Sequence, residues 1–341
     1  EEMGEFDPIQ QIVQPTASVR RQLAIDTFRI GAQRLAGPEV IPEHEEGGVL
    51  ALQDQFGCKW ELKPGEDHYY NMKSSPLSAF TTIGEGLRNY RFPAVASATS
   101  ELTRVMEKQR RDIGDSGVVA DRNSAGLTEV AFRVRGYEQF FMDMALDPAG
   151  ASELMERILQ YKLDYWSFFA EYARETGLAH EVLVAAECDD LGTQNSLLFS
   201  PEMIRNVVMP LQRRLIAHIK HVIPGVKVLY HSDGAIFDLI PELINIGVDI
   251  LNPVQFTASG MSLERLKCEF GREIVFWGGG VDTQETLPHG TPQQVADEVK
   301  RNIDILAPGG GFVFAAVHNI QADVPPENFW AMWDTIQNYP M

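Results

Sequence analysis

Two short stretches hold the side chains best suited to chemistry. His231-Ser232-Asp233 places an imidazole and a carboxylate two residues apart. Side chains two apart leave a strand on the same side, so this pair can chelate one ion from a single strand end. Glu187-Cys188-Asp189-Asp190 offers three carboxylates and a thiol in a row, and His318 adds a second imidazole. Zinc takes three or four nitrogen, sulfur or oxygen ligands, and these groups would suit it if they converge. Each has a plainer use as well. A single histidine at a strand end is often a hydrogen-bonded structural residue. Acidic residues favour turns and helix amino ends, and Cys188 serves equally as a small buried apolar residue. Neither CxxC nor HExxH occurs in the chain.

Whether these groups meet depends on the elements that carry them. From residue 117 onward, short apolar runs alternate with stretches of helical period. The runs are 117–121, 183–187, 226–231, 248–253, 274–279 and 311–318. Helices are expected at about 149–176, after Ser200-Pro201, around Ile236–Leu243, after Ser262, after Thr291-Pro292 and after Pro325. Near-continuous apolar strands between helices fit a parallel sheet covered on both faces. No GxGxxG or GxxxxGK[ST] turn points to an open nucleotide-binding sheet. The expected fold is therefore α/β, a single (β/α)8 TIM-type barrel over residues 81–341. Residues 1–80 are expected to form an irregular amino-terminal cap. Within it, 53–72 turns at Lys63-Pro64-Gly65 as a surface hairpin carrying Asp67, His68, Tyr69 and Tyr70, an exposed rim or a lid.

Such barrels hold their chemistry at the carboxyl ends of the strands. Those ends read Asp121-Arg122-Asn123, Glu187 to Asp190, His231 to Asp233, Asn252 to Gln255, Gly278 to Asp282, and His318-Asn319. The opposite ends read Pro224-Gly225, Ile246-Gly247, Gly271-Arg272 and Pro308-Gly309, which is turn chemistry. This one-sided loading points to an enzyme or a small-molecule binder.

Composition excludes other classes. The 341 residues are 44% hydrophobic and 23% charged, ordinary for a globular enzyme. Forty-eight acidic residues against 29 basic ones give a net charge of −19, which repels phosphate backbones and anionic lipid. Neither a nucleic acid nor a membrane is an expected partner. No apolar run reaches the ~18 residues of a bilayer span. Three cysteines without a secretory leader suggest a reducing, cytoplasmic location. The opening Glu1-Glu2-Met3 suggests that a longer chain precedes it.

Four segments carry a resemblance. DDLGTQNSLLFSPEMIRNVVMP (189–210), VKVLYHSDGAIFDLIPELINIGVDILNPVQ (226–255), FWGGGVDTQETLPHGTP (276–292) and APGGGFVFAAVHNIQADVPPEN (307–328) resemble the uroporphyrinogen decarboxylase superfamily. That superfamily includes zinc-dependent methyltransferases that move methyl groups to or from a corrinoid or a thiol. The resemblance implies a single TIM-type barrel. In the decarboxylase branch, an Arg-rich amino-terminal segment and an early Asp bind the tetrapyrrole, and His318 resembles the branch's late His. In the methyltransferase branch, a His-x-Cys motif and a later Cys hold zinc. Here HSDG (231–234) looks like His-x-Cys-Gly with Asp233 at the Cys position, and His318 falls where the second Cys would lie.

A His/Asp/His set is harder and more electrophilic than one with two thiolates. It suits polarising an ether, hydroxyl or amine better than holding a thiol. The resemblance then implies methyl transfer from a small methoxy or amine donor to a corrinoid on a partner protein. In it, His231, Asp233 and His318 hold zinc. His318, Glu187 and Asp189 are the catalytic candidates, and Asn252, Gln255, Asp282 and Arg122 line the substrate. The alternatives are a uroporphyrinogen decarboxylase and a non-catalytic tetrapyrrole- or corrinoid-binding barrel. The mouth's acids, with Arg122 as a candidate counter-charge and without several basic partners, predict weak binding of an octacarboxylate tetrapyrrole.

Overall fold

The apolar runs of the sequence do become parallel strands, most of them followed by a helix. The computed structural model describes residues 6–7, 9, 12–32, 41–46, 48–67 and 69–340. His68 of the expected hairpin lies outside the described residues. Contacts divide the chain into two units: Glu1–Glu187 with Asn206–Val226, and Cys188–Arg205 with Lys227–Met341.

In the first unit, α1 (Ala17–Gln22) leads into β1 (Thr27–Ile30). Four strands follow, β2 (Ile41–Glu46), β3 (Val49–Gln53), β4 (Lys59–Leu62) and β5 (Asn71–Ser74), and pair antiparallel in that order. The expected hairpin is β4–β5, its turn closed by Glu66 N donating to the Lys63 carbonyl at 3.1 Å. Asp54 holds the turn before β4: its carboxylate accepts from the backbone of Phe56 and Cys58 and from Trp60 Nε1 at 2.9–3.0 Å. The described part of residues 1–80 thus contains a four-stranded antiparallel sheet, and β1 belongs to the parallel sheet. Strands of four to six residues are too short for alternation to announce them; in β4 only Trp60 and Leu62 face inward.

Next come α2 (Thr99–Arg110), β6 (Gly117–Ala120), α3 (Leu127–Arg135), α4 (Tyr137–Leu146), α5 (Pro148–Glu175), β7 (Val182–Cys188) and α6 (Met209–Val222). β1, β6 and β7 are parallel neighbours, with Ile30 opposite Ala120 and Ala120 opposite Ala185. α5 starts where expected, because Pro148 sits at its first position and Asp147 accepts from Gly150 N at 3.0 Å. Its face of Leu154, Ile158, Tyr161, Tyr165, Trp166 and Phe169 is buried, and it packs against α3 and α6. The helix aromatics are therefore core.

The second unit repeats strand and helix four times. Its elements are β8 (Lys227–His231), α7 (Ile240–Ile246), β9 (Ile250–Asn252), α8 (Leu263–Phe270), β10 (Val275–Trp277), α9 (Pro292–Leu306), β11 (Phe312–Val313) and α10 (Pro326–Asn338). β8 to β11 are successive parallel neighbours. Val281, Leu287, Val295, Val299, Ile303 and Met332 form a buried cluster on α9 and α10 and the loop before them.

The described residues hold seven parallel strands in a TIM-barrel-like α/β fold; the eighth strand of the expected (β/α)8 barrel is not among them. The run 311–318 joins the ladder only at Phe312–Val313. Beyond it single hydrogen bonds continue, Gly280 N to the Ala315 carbonyl and Val317 N to the Val281 carbonyl. Among the described residues, no helix is long and apolar enough to cross a membrane.

Candidate metal centre

Register alone brings the first donors together. His231 ends β8 directly opposite Asn252, which ends β9. Beyond the strands the ladder runs on: Ser232 N donates to the Asn252 carbonyl at 2.7 Å, and Asp189 N to the His231 carbonyl at 2.9 Å. The loops that follow β7 and β8 then cross backbone to backbone. Ala235 N donates to the Thr193 carbonyl at 2.7 Å. Gly234 has φ of +88°, and a Cβ there would lie 2.6 Å from the Thr193 carbonyl oxygen; a Cβ at Gly192 would meet the Asp233 carbonyl oxygen at 2.6 Å. Only glycine permits this approach. The crossing carries Asp190 toward Asp233, whose backbone N donates to Asp190 Oδ1 at 3.0 Å.

Four side chains converge as a result. Asp233 Oδ2 lies 3.5 Å from His231 Nε2 and 3.8 Å from His318 Nε2, and Asp190 Oδ1 lies 3.8 Å from His231 Nε2. Donor atoms of Asp190, His231 and Asp233 all fall within 4.8 Å of one another. Two ligands bound at ~2.0–2.1 Å to a tetrahedral zinc stand about 3.3 Å apart. The observed spacings are close to that edge and too long for good hydrogen bonds. Asp190, His231 and Asp233 therefore fit a zinc ion in donor type and approximate spacing, while His318, expected as a ligand, approaches Asp233 but does not join that mutually close group.

Neighbours set the proton states. Asn252 Nδ2 donates to the Trp277 carbonyl at 2.8 Å, which turns its Oδ1 toward His231 Nδ1 at 2.7 Å. An amide oxygen only accepts, so Nδ1 carries a proton and Nε2 faces the two carboxylates. An outer partner of this kind fixes ring orientation and raises ligand basicity. Burial pushes the Asp233 carboxyl up, but its contact with His231 and the charges of His231 and His318 outweigh that and hold it below 3.8. Burial pulls His318 below 6.5, and the attraction of Asp233 does not cancel it. Near neutral pH this leaves an ionised carboxylate and a neutral imidazole, the forms that bind a divalent cation.

The other expected site residues are placed differently. Gln255 is buried and holds the turn: its Oε1 accepts from Gly234 N at 2.7 Å and its Nε2 donates to Gln194 Oε1 at 3.1 Å. Asp282 caps a turn of its own, accepting from Gln284 N and Glu285 N, while its N donates to Glu298 Oε1. Asp189 is fully buried beside His231. Glu187 and Arg122 belong to the first unit. There Glu187 receives Lys162 Nζ at 2.7 Å and Trp166 Nε1 at 2.6 Å, a sealed ion pair, and Arg122 Nη1 lies 3.9 Å from Asp121 Oδ1. Asp190 as a donor, Gln194 and the Trp277 carbonyl were not singled out from the sequence. The signal for Asp190 was its place beside Gly192, two residues on.

Comparisons with known proteins follow this geometry. A family model for uroporphyrinogen decarboxylase (URO-D) matches residues 123–339. Among curated proteins none matches the chain. Of solved structures, a methyltransferase from Methanosarcina mazei aligns with TM-score 0.67 at 15% identity, covering 95% of this chain and 83% of that one. Xylanase 10B from Thermotoga maritima aligns with TM-score 0.41 at 11% identity, over 73% of this chain and 80% of that one. At 15% identity the likeness to the methyltransferase concerns the fold alone.

Proposed function

The chain belongs to the uroporphyrinogen decarboxylase family, and within it we propose a methyltransferase. It moves a methyl group from a small methoxylated or methylamine donor to the reduced corrinoid of a partner protein, in the cytoplasm. One observation carries the proposal: a thiolate-free donor set in which Asp190, His231 and Asp233 lie within 4.8 Å of one another and His318 stands 3.8 Å from Asp233. Bound there, zinc supplies Lewis acidity toward the donor's oxygen or nitrogen.

The chain's own residues do the remaining work. Asn252 keeps the proton on His231 Nδ1, so that Nε2 points at the centre. Asp190 and Asp233 set the local charge, and their negative field suits a neutral or cationic donor. His318, with 44% of its side chain exposed, walls the side from which the donor enters. The bond between the methyl carbon and the donor's oxygen or nitrogen breaks as the acceptor's electron pair bonds to that carbon. The leaving atom keeps the bonding pair; that of an uncharged donor takes a proton from water, and an ammonium donor leaves as the neutral amine. Gln255 acts through the Gly234 turn and not on the substrate.

The decarboxylase alternative needs cationic partners for eight carboxylates. Two carboxylates at the centre oppose it, since like charges in a cleft repel more strongly than in water. The test supplies the purified protein with methoxylated aromatic or methylamine donors and chemically reduced cobalamin. Absorbance should report methylcobalamin in amounts that follow zinc content, about one ion per chain. Conversion of uroporphyrinogen to coproporphyrinogen at about 1 per second or faster would overturn the proposal. Corrinoid binding without any turnover would leave the chain a carrier.

A further inference from the structure

We infer that the first unit carries a second site, an anion pocket between α1, the amino end of β1 and α2, which takes a small organic polyanion bearing phosphate or carboxylate groups. The cavity there holds about 1420 Å³, and Arg20, Arg21, Arg29, Arg104 and Lys108 line it with Asp112 as the one acid. That ratio inverts the composition of a chain with 29 basic and 48 acidic residues. A protein of net charge −19 repels anions in general, so a concave cationic wall is a local exception that needs a ligand to explain it.

Arg20 is the built part of the site. It is only 8% exposed. Its Nη2 donates to the Asp112 carbonyl at 2.6 Å, and its guanidinium carbon lies 4.1 Å over the Phe28 ring. These two contacts fix the plane of the guanidinium. Its Nε, however, is buried and meets no hydrogen-bond partner among the described residues. A buried cation with an unanswered N–H is costly. An oxyanion in the cavity answers both the charge and the donor, and the fork of a guanidinium matches phosphate and carboxylate oxygens in pairs.

Two neighbours are already compensated, Arg29 by Asp121 at 3.2 Å and Arg104 by Glu101 through Nε at 2.8 Å. Asp112 offsets part of the Arg20 charge, so Arg21 and Lys108 bring most of the excess positive charge. The cavity lies where β1 and β6 begin: Asp112 precedes β6, and Gly117 N donates to the Asp26 carbonyl at the start of both strands. It shares no residue with the metal centre. Its size admits a ligand as large as a nucleotide, and its concavity favours a small molecule over a flat macromolecular face.

Calorimetric titration of the full chain with inorganic pyrophosphate and with citrate tests this. Both anions chelate zinc, so the protein is first dialysed against EDTA, and the titration is repeated on His231→Ala. Saturable binding tighter than about 1 mM at low salt is expected for at least one anion, equal in His231→Ala and weakened in 0.5 M salt by screening. Tighter binding of pyrophosphate identifies a phosphate ligand, and tighter binding of citrate a polycarboxylate. The doubly substituted Arg21→Glu/Lys108→Glu protein, altered at exposed positions, should bind at least about tenfold more weakly while keeping its circular dichroism. Titrations without saturation would overturn the inference. So would equal affinity in the doubly substituted protein, or binding lost in His231→Ala.

Discussion

Charge is gathered at two places in this molecule, and the two are built to different rules. In the first unit, Lys162 Nζ meets Glu187 at 2.7 Å and Trp166 Nε1 meets the other carboxylate oxygen at 2.6 Å, with Lys162 and Glu187 each 1% exposed. In the second, His231 lies 3.5 Å from Asp233 and 3.8 Å from Asp190, and His318 lies 3.8 Å from Asp233, with the four side chains 21 to 44% exposed. The first cluster closes on itself by hydrogen bonds. The second is tied by one backbone hydrogen bond, Asp233 N to Asp190, and otherwise keeps its ionisable groups at ion-pair distance and accessible from outside. Ionisable residues that serve the fold neutralise each other; those arranged for a ligand are kept apart by the backbone that bears them.

Removing one partner from the closed cluster should have the largest effect. Lys162→Met leaves a buried carboxylate without its cation and should cost about 3–5 kcal/mol in urea unfolding. Lys162→Met with Glu187→Leu should recover most of that. A small loss in the single variant would erase the contrast drawn here. His231→Ala should show the opposite pattern. Zinc per chain should fall below about a tenth of the parent value, while unfolding stability should change by no more than about 1 kcal/mol. Retained metal with lost stability would make His231 a structural residue. Asn252→Ala comes next. It frees the His231 ring, and zinc affinity measured by competition with a chelator should fall about 10- to 100-fold.

The smallest effect is on pH dependence. His318 is depressed below 6.5 in the folded chain. A depressed histidine contributes stability that is present above its unfolded value and lost as pH falls through its folded value. Asp233, also depressed, adds a second loss only below pH 3.8. The urea midpoint of metal-free protein should therefore decline as pH falls from 7 to about 5, and His318→Gln should flatten that decline. An unchanged slope in the variant would assign the titration elsewhere.

The legible part of this fold is the part written in long patterns. The 28-residue α5 is legible as a long helix over about 149–176, and strands such as β7 and β8 are plain apolar runs. β4 and β5, with four residues each, are not, because pairing and not periodicity defines them. At the site, His231 and Asp233 were legible because a spacing of two on a strand end has one geometric meaning. Asp190 was not: its approach depends on Gly192 and Gly234 crossing, and that contact joins residues 41 positions apart or more. Gln255 and Asp282 show the reverse case. Their types suggested a substrate rim, yet backbone N–H groups occupy their side-chain oxygens. Residue type says what a side chain can bind; the loop decides whether a peptide group reaches it first.

The crossing of those two glycines has a use for anyone who wishes to repurpose the centre. Because peptide groups hold the loops at Thr193, Gly234 and Ala235, the scaffold is a socket whose shape is independent of the pins set into it. Exchanging Asp233 and His318 for cysteine retunes the pocket from hard to soft without rebuilding either loop, and shifts its taste from oxygen and nitrogen toward sulfur. One framework could then be offered a series of donor sets and screened for leaving-group preference, with the peptide crossing as the fixed reference.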